Sequence, residues 1–140
     1  CPKCAFEQLD LLLSQGVDPS HLCIGHLSRI RDDPRAETHK AIAKRGAFVG
    51  FDTVGGRADP RADEYVRMLL SLIEAGYEDK VLFAGDGTGE NERVRNGGPG
   101  YAKVWTVFVP QLRQAGVKES TIQKMVVDNM RRFLAFVPKT

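Results

Sequence analysis

Three ionisable residues stand where apolar runs end: His26 after LCIG, Asp52 after AFVGF and Asp86 after VLFAG. Imidazole nitrogen and carboxylate oxygen are the donors that a catalytic divalent cation such as zinc prefers. A charge delivered directly behind buried residues is costly unless it is paired or bound to metal. Each residue also has a plainer reading. His26 is equally a helix N-cap or a satisfied core histidine, and Asp52 and Asp86 are equally caps of the turns that follow them. What sets the three apart is recurrence at equivalent places in successive repeats. His21 and His39 lack that context. One precedes an apolar run and the other falls on a polar helix face, so both read as surface residues.

Other possible sites are weaker. The stretch GDGTGENERVRNGGPG matches neither GxGxxG after a first strand nor GxxxxGKS/T, which argues against a nucleotide cradle. A long flexible loop at the end of a strand is better suited to wall a substrate pocket. Cys1, Cys4 and Cys23 are too few, and odd in number, for a disulfide framework. The CPKC at residues 1–4 has the spacing of half a zinc site or a redox pair, but no second pair follows and no strand precedes it. Cys23 lies inside an apolar run and reads as a small buried hydrophobe.

The elements that must position the three rim residues follow a repeated order of amphipathic helix, glycine, short turn and apolar strand. Gly16, Gly46 and Gly76 fall thirty residues apart. Each follows a helical pattern, in FEQLDLLLSQ (Phe6, Leu9, Leu12, Leu13), ETHKAIAKR (Ala41, Ile42) and EYVRMLLSLIEA (Tyr65, Leu69, Leu72, Ile73). A glycine just past the last periodic residue is the expected left-handed helix stop. The strands HLCIGH, AFVGFD and KVLFAGD are continuous apolar runs, as in a parallel sheet covered on both faces. Two helical stretches close the chain. In 101–116 Pro110 should end or kink the helix, and 119–136 opens with a Ser/Thr cap candidate. The pattern is α-β-α-β-α-β-loop-α-α, which fits a small open sheet or part of an eight-stranded barrel. Both architectures place chemistry at the carboxyl ends of the strands.

With 140 residues, the chain reads as one domain or a piece of one. Its net charge of +2, with both signs interspersed, argues against nucleic acid or an anionic membrane as partner. No apolar run approaches the roughly 18 residues of a membrane span, and the start lacks a signal-peptide layout. A cytoplasmic location is the expectation.

Four segments carry a family resemblance. GHLSR (25–29), KRGAFVGFDTVG (44–55), IEAGYEDKVLFAGD (73–86) and GGPGYAKVWTVFVPQLRQAGV (97–117) resemble the phosphotriesterase family, metal-dependent hydrolases of the amidohydrolase superfamily that include lactonases. The resemblance implies a (β/α)8 TIM barrel with two metal ions at its carboxyl face. Residues 1–140 would be a single partial domain, an incomplete barrel of the three C-terminal βα units (strands six to eight). His26 matches a metal ligand of strand six. Asp86 matches the strand-eight metal ligand that also accepts a proton from the bridging hydroxide. Asp52, Thr53 and Gly87 fall at substrate-facing positions, and Thr53 falls where relatives vary with specificity. Met130, in VDNMRRFL, stands where the family usually has a proline, which should alter local helix geometry and leave catalysis alone.

The chain lacks four of the six usual ligand positions: an HxH pair, a bridging lysine or glutamate, and a strand-five histidine. Lys3 is in the wrong place to be the bridge. The implied cofactor is a divalent metal, zinc first, with manganese or cobalt as alternatives. The implied substrates are small-molecule phosphotriesters (organophosphates), lactones or carboxylic esters. Metal binding and hydrolysis by the chain alone should be weak. The bare strand edge and barrel face predict a homo-oligomer or association with the missing barrel half. The other reading is a non-catalytic half-barrel module that persists by oligomerising.

Overall fold

The computed structural model describes residues 2–30, 33–56 and 60–135. Three short parallel strands, β1 (Cys23–Ile24), β2 (Phe48–Phe51) and β3 (Val81–Phe83), form one sheet in the order β1-β2-β3. Cys23 pairs with Phe48, Ile24 with Val49, and Val49 to Phe51 with Val81 to Phe83. The ladders are shorter than the apolar runs because the chain turns out of the sheet before each rim residue; His26 and Asp86 both have positive φ, 56° and 48°. Parallel pairing in sequence order sends all three carboxyl ends to one rim.

Helices α1 (Pro2–Ser14), α2 (Glu37–Lys44) and α3 (Ala62–Glu74) precede the three strands. Gly16, Gly46 and Gly76 follow them with φ of 78°, 93° and 77°, the expected left-handed stops. Of CPKC, Cys1 lies outside the described residues, and Pro2, Lys3 and Cys4 form the first turn of α1, with Pro2 its first helical residue and Cys4 exposed. Only Ala5 and Leu9 of α1 are buried; Leu12, expected on the core face, is 37% exposed because this helix covers just the edge of the fold. Helix α3 buries Tyr65, Met68, Leu69 and Leu72.

His39 overturns its expectation. With Ile42 and Ala43 it forms the buried face of α2, it is 0% exposed, and its ring lies 5.3 Å from that of Phe51. Positions 39, 42 and 43 share a helix face, so the i, i+3, i+4 rule and not residue polarity decided its placement. Burial pulls its pKa down to about 4, so the imidazole is neutral in the folded protein. Asp33 accepts the N–H groups of Glu37 (2.8 Å) and Thr38 (2.9 Å) and so caps α2 from outside.

The last two helical stretches each contain a widened, π-type turn. Val104–Phe108 leads into α4 (Val109–Gln114), and Lys124–Asp128 links α5 (Glu119–Gln123) to α6 (Asn129–Phe133). Pro110 is the second residue of α4, so the wide turn absorbs its missing N–H and the helix runs on. Met130 holds the same place in α6, behind the same kind of turn. The wide turn therefore exists without a proline. No serine or threonine caps α5, whose N-cap is Lys118.

Outer-face residues Ile24, Val49, Phe51, Val81 and Phe83 join the core with Phe108 and Leu112. The inner face is not bare as expected. Helix α6 folds over it, and Met130 and Phe133 line an apolar cavity of about 180 Å³ with Cys23, Gly50, Leu82 and Ala84. Phe48 and Leu82 are consequently only 3% and 5% exposed. No helix among the described residues is long and apolar enough to cross a membrane.

Candidate functional site

The carboxyl rim is organised around Asp52. Its Oδ2 accepts the backbone N–H of His26 (2.8 Å) and lies 2.9 Å from His26 Nδ1. One carboxylate thus sets both the backbone and the ring of the neighbouring strand end. The approach needs Gly25, where a Cβ would stand 2.9 Å from Asp52 Oδ2. The other carboxylate oxygen, Oδ1, is buried with no hydrogen-bond partner among the described residues. With Nδ1 directed at Asp52, Nε2 is the ring nitrogen left to face a ligand, and the His26 side chain is 61% exposed.

Asp86 is the second pole. Arg29, three residues after His26, places Nη2 3.0 Å from Asp86 Oδ2, so the turn after β1 reaches across the end of β2 to the end of β3. Thr53 follows Asp52 in the turn after β2 and is half-buried. Gly87 lies under Tyr101, whose ring atoms would be 3.0 Å from a Cβ at that position. Asp52, expected at a substrate-facing position, has its Oδ2 on His26 and also lines the cavity under α6. Cys23, half-buried, lies beneath this cluster; burial, helped by the Asp52 carboxylate, pushes its thiol up to about 11.

The glycine-rich loop holds itself together. Glu90–Glu92 and Val94–Asn96 form tight turns, and Gly100 N–H donates to Glu92 O (2.8 Å). One tie to the rim is Lys103, 4% exposed, whose Nζ donates to Glu92 Oε2 at 2.8 Å. The lysine runs past Gly55 and Gly85, where a Cβ would meet its backbone oxygen at 2.7 Å and its Cε at 2.6 Å. Sequence reasoning missed Arg29, Tyr101 and Lys103. Arg29 had a signal in the GHLSR spacing; Lys103 had none, because a lysine at the start of a helical stretch predicts exposure.

Among the described residues no group of three or more His, Cys, Asp or Glu is close enough to hold a metal ion. His26 and Asp86 are donors of the right chemistry for a divalent cation, yet catalytic zinc takes three protein donors and a water. The described residues thus supply part of a donor set and do not close a centre.

The model of the phosphotriesterase family matches residues 1–134. The chain is 33% identical over 127 residues to the phosphotriesterase homology protein of Escherichia coli (strain K12), covering 91% of this chain and 42% of that protein. The crystal structure of that protein complexed with phosphate in its active site superposes with a TM-score of 0.82 over 91% of this chain and 43% of its own. A resiniferatoxin-binding protein from Rhodobacter sphaeroides superposes with a TM-score of 0.83 at 34% identity, over 92% of this chain and 38% of its own. An aryldialkylphosphatase from Saccharolobus solfataricus is 30% identical over 142 residues, covering 92% of this chain and 43% of that protein. The chain spans about two fifths of the length of the curated relatives it matches.

Proposed function

The chain belongs to the phosphotriesterase family, a family of hydrolases, and from that premise we propose that its rim is one part of a metal-dependent hydrolytic site. In this reading β1, β2 and β3 are strands six to eight of the barrel. The substrates are small phosphotriesters, lactones or carboxylic esters.

The observation that carries the reading is the Asp52–His26 contact. A carboxylate on Nδ1 of an exposed imidazole is the arrangement that orients a histidine to ligate metal through Nε2. His26 and Asp86 are the donors, and Asp52 is a positioning residue for His26. A bound divalent cation would supply an activated water and a polarised P=O or C=O bond. Asp86 accepts a proton at its carboxylate, in competition with the Arg29 guanidinium that occupies it here. Thr53 and Gly87, under Tyr101, shape the substrate wall.

A second reading is favoured by the incomplete donor set, namely a non-catalytic βα module that persists by oligomerising or by pairing with the rest of a barrel. Metal analysis and hydrolysis of an aryl ester, a lactone and an aryl dialkyl phosphate separate the two. The hydrolase reading expects bound metal and a slow turnover that His26→Ala and Asp86→Ala abolish while the circular dichroism spectrum is unchanged. A folded, metal-free chain that gel filtration shows to be oligomeric, with no turnover in zinc, manganese or cobalt, supports the module instead.

A further inference from the structure

The opposite ends of the strands hold a second cluster. Ser20 and His21 lead into β1, Phe48 opens β2, Lys80 leads into β3, and Arg132 reaches in from α6; together they line a hollow of about 250 Å³. Lys80 Nζ and Arg132 Cζ lie 5.3 Å and 6.0 Å from the Phe48 ring centroid. Both cations are held by neutral acceptors. Lys80 donates to Gly46 O (3.0 Å), and Arg132 donates to Asp79 O and to Asn129 Oδ1 (2.9 Å). Carbonyls fix the side chains without cancelling their charge.

Two carboxylates face this region and offset part of its charge. Asp18 Oδ1 accepts the N–H (2.8 Å) and hydroxyl (2.7 Å) of Ser20, and those bonds, with the nearby His21 and Lys80, hold its carboxyl below the usual range. Asp79 Oδ2 stands 3.9 Å from Arg132 Nη1, an ion pair without a hydrogen bond. Among the described residues Lys80 hydrogen-bonds through one of its three donors and Arg132 only through Nη2, with the imidazole of His21 beside them.

We propose that this amino-end hollow is a binding site for a phosphate dianion, either free phosphate or the phosphate group of a small monoester, separate from the catalytic rim. Lys80 and Arg132 contribute charge-assisted hydrogen bonds, and the Phe48 ring is an apolar floor beneath both cations. Because the hollow is open to water, binding is in the millimolar range.

The test is a ¹H–¹⁵N NMR titration of the chain with inorganic phosphate at constant ionic strength, with chloride as the balancing anion. Saturable shifts at the amides of His21, Phe48 and Val81 are expected. Lys80→Met and Arg132→Gln should each weaken binding about tenfold, as loss of a hydrogen bond to a charged group implies. Lys80→Arg keeps the charge and should stay within about threefold of the parent. Arg29→Gln, at the opposite rim, should change nothing at these amides. Methyl phosphate binding as tightly as phosphate identifies a monoester ligand, and binding of phosphate alone identifies the free anion. Linear shifts without saturation, unchanged affinity in Lys80→Met, or loss of binding in Arg29→Gln but not in Lys80→Met would each overturn the site.

Discussion

Neutralising Glu92 tests whether the rim is held by a buried charge pair. The Lys103 and Glu92 side chains are 6% and 23% exposed, and their charged atoms are 2.8 Å apart. Glu92→Gln leaves an ammonium group desolvated with no counter-charge. Breaking a fully buried pair costs roughly 3–5 kcal/mol, and water access to the glutamate side reduces this to about 2 kcal/mol here. Lys103→Met keeps most of the stem that packs on Gly85 and frees Glu92 to turn outward, so about 1 kcal/mol is lost. The double variant removes both charges and should also lose only about 1 kcal/mol. The cycle therefore predicts a coupling of about 2 kcal/mol between two residues 11 apart in sequence. Urea unfolding of the four proteins at matched slope measures it. Equal costs for Glu92→Gln and Lys103→Met, or a coupling below about 1 kcal/mol, would refute the burial of the pair, since exposed pairs reach only about that much.

The fold should weaken in mild acid through His39. Its folded pKa, about 4, lies below the unfolded value of about 6.5, so between those values the unfolded chain binds more protons and stability falls as pH drops. The loss is on the order of 3 kcal/mol across that window and absent above it; urea unfolding between neutral pH and pH 4 should show it, and His39→Leu should flatten the profile. Cys23 should react with iodoacetamide at pH 8 at least about a hundredfold more slowly in the folded than in the denatured chain, because its thiol is raised to about 11; equal rates would show the thiol to be open. Met130→Pro should cost well under the roughly 3 kcal/mol of a proline in an ordinary helix interior, because the turn behind it is already widened as it is before Pro110; a full loss by thermal unfolding would contradict that equivalence.

Much of the fold was legible locally. Left-handed stops at Gly16, Gly46 and Gly76 follow from where each apolar periodicity ends, and the three strands follow from runs too apolar to alternate. His26, Asp52 and Asp86 were visible as rim groups because each stands directly behind such a run. Local reading failed where burial overrode residue type. His39 and Lys103 look like surface residues by polarity, yet one lies against Phe51 and the other beneath the glycine-rich loop. It also failed at the inner sheet face, which is covered by a helix more than eighty residues beyond Phe48.

Periodicity and turn chemistry act over a few residues, so the sequence by itself determined the order of elements, their stops and the type of group carried to each strand end. Which group meets which was decided only by the tertiary structure. Asp52 finds His26 across 26 residues, and Arg29 finds Asp86 across 57, because parallel pairing brings strand ends to one rim in a particular register. A slip of one residue in that register would shift one strand end along the other by about 3.3 Å and pull these pairs apart.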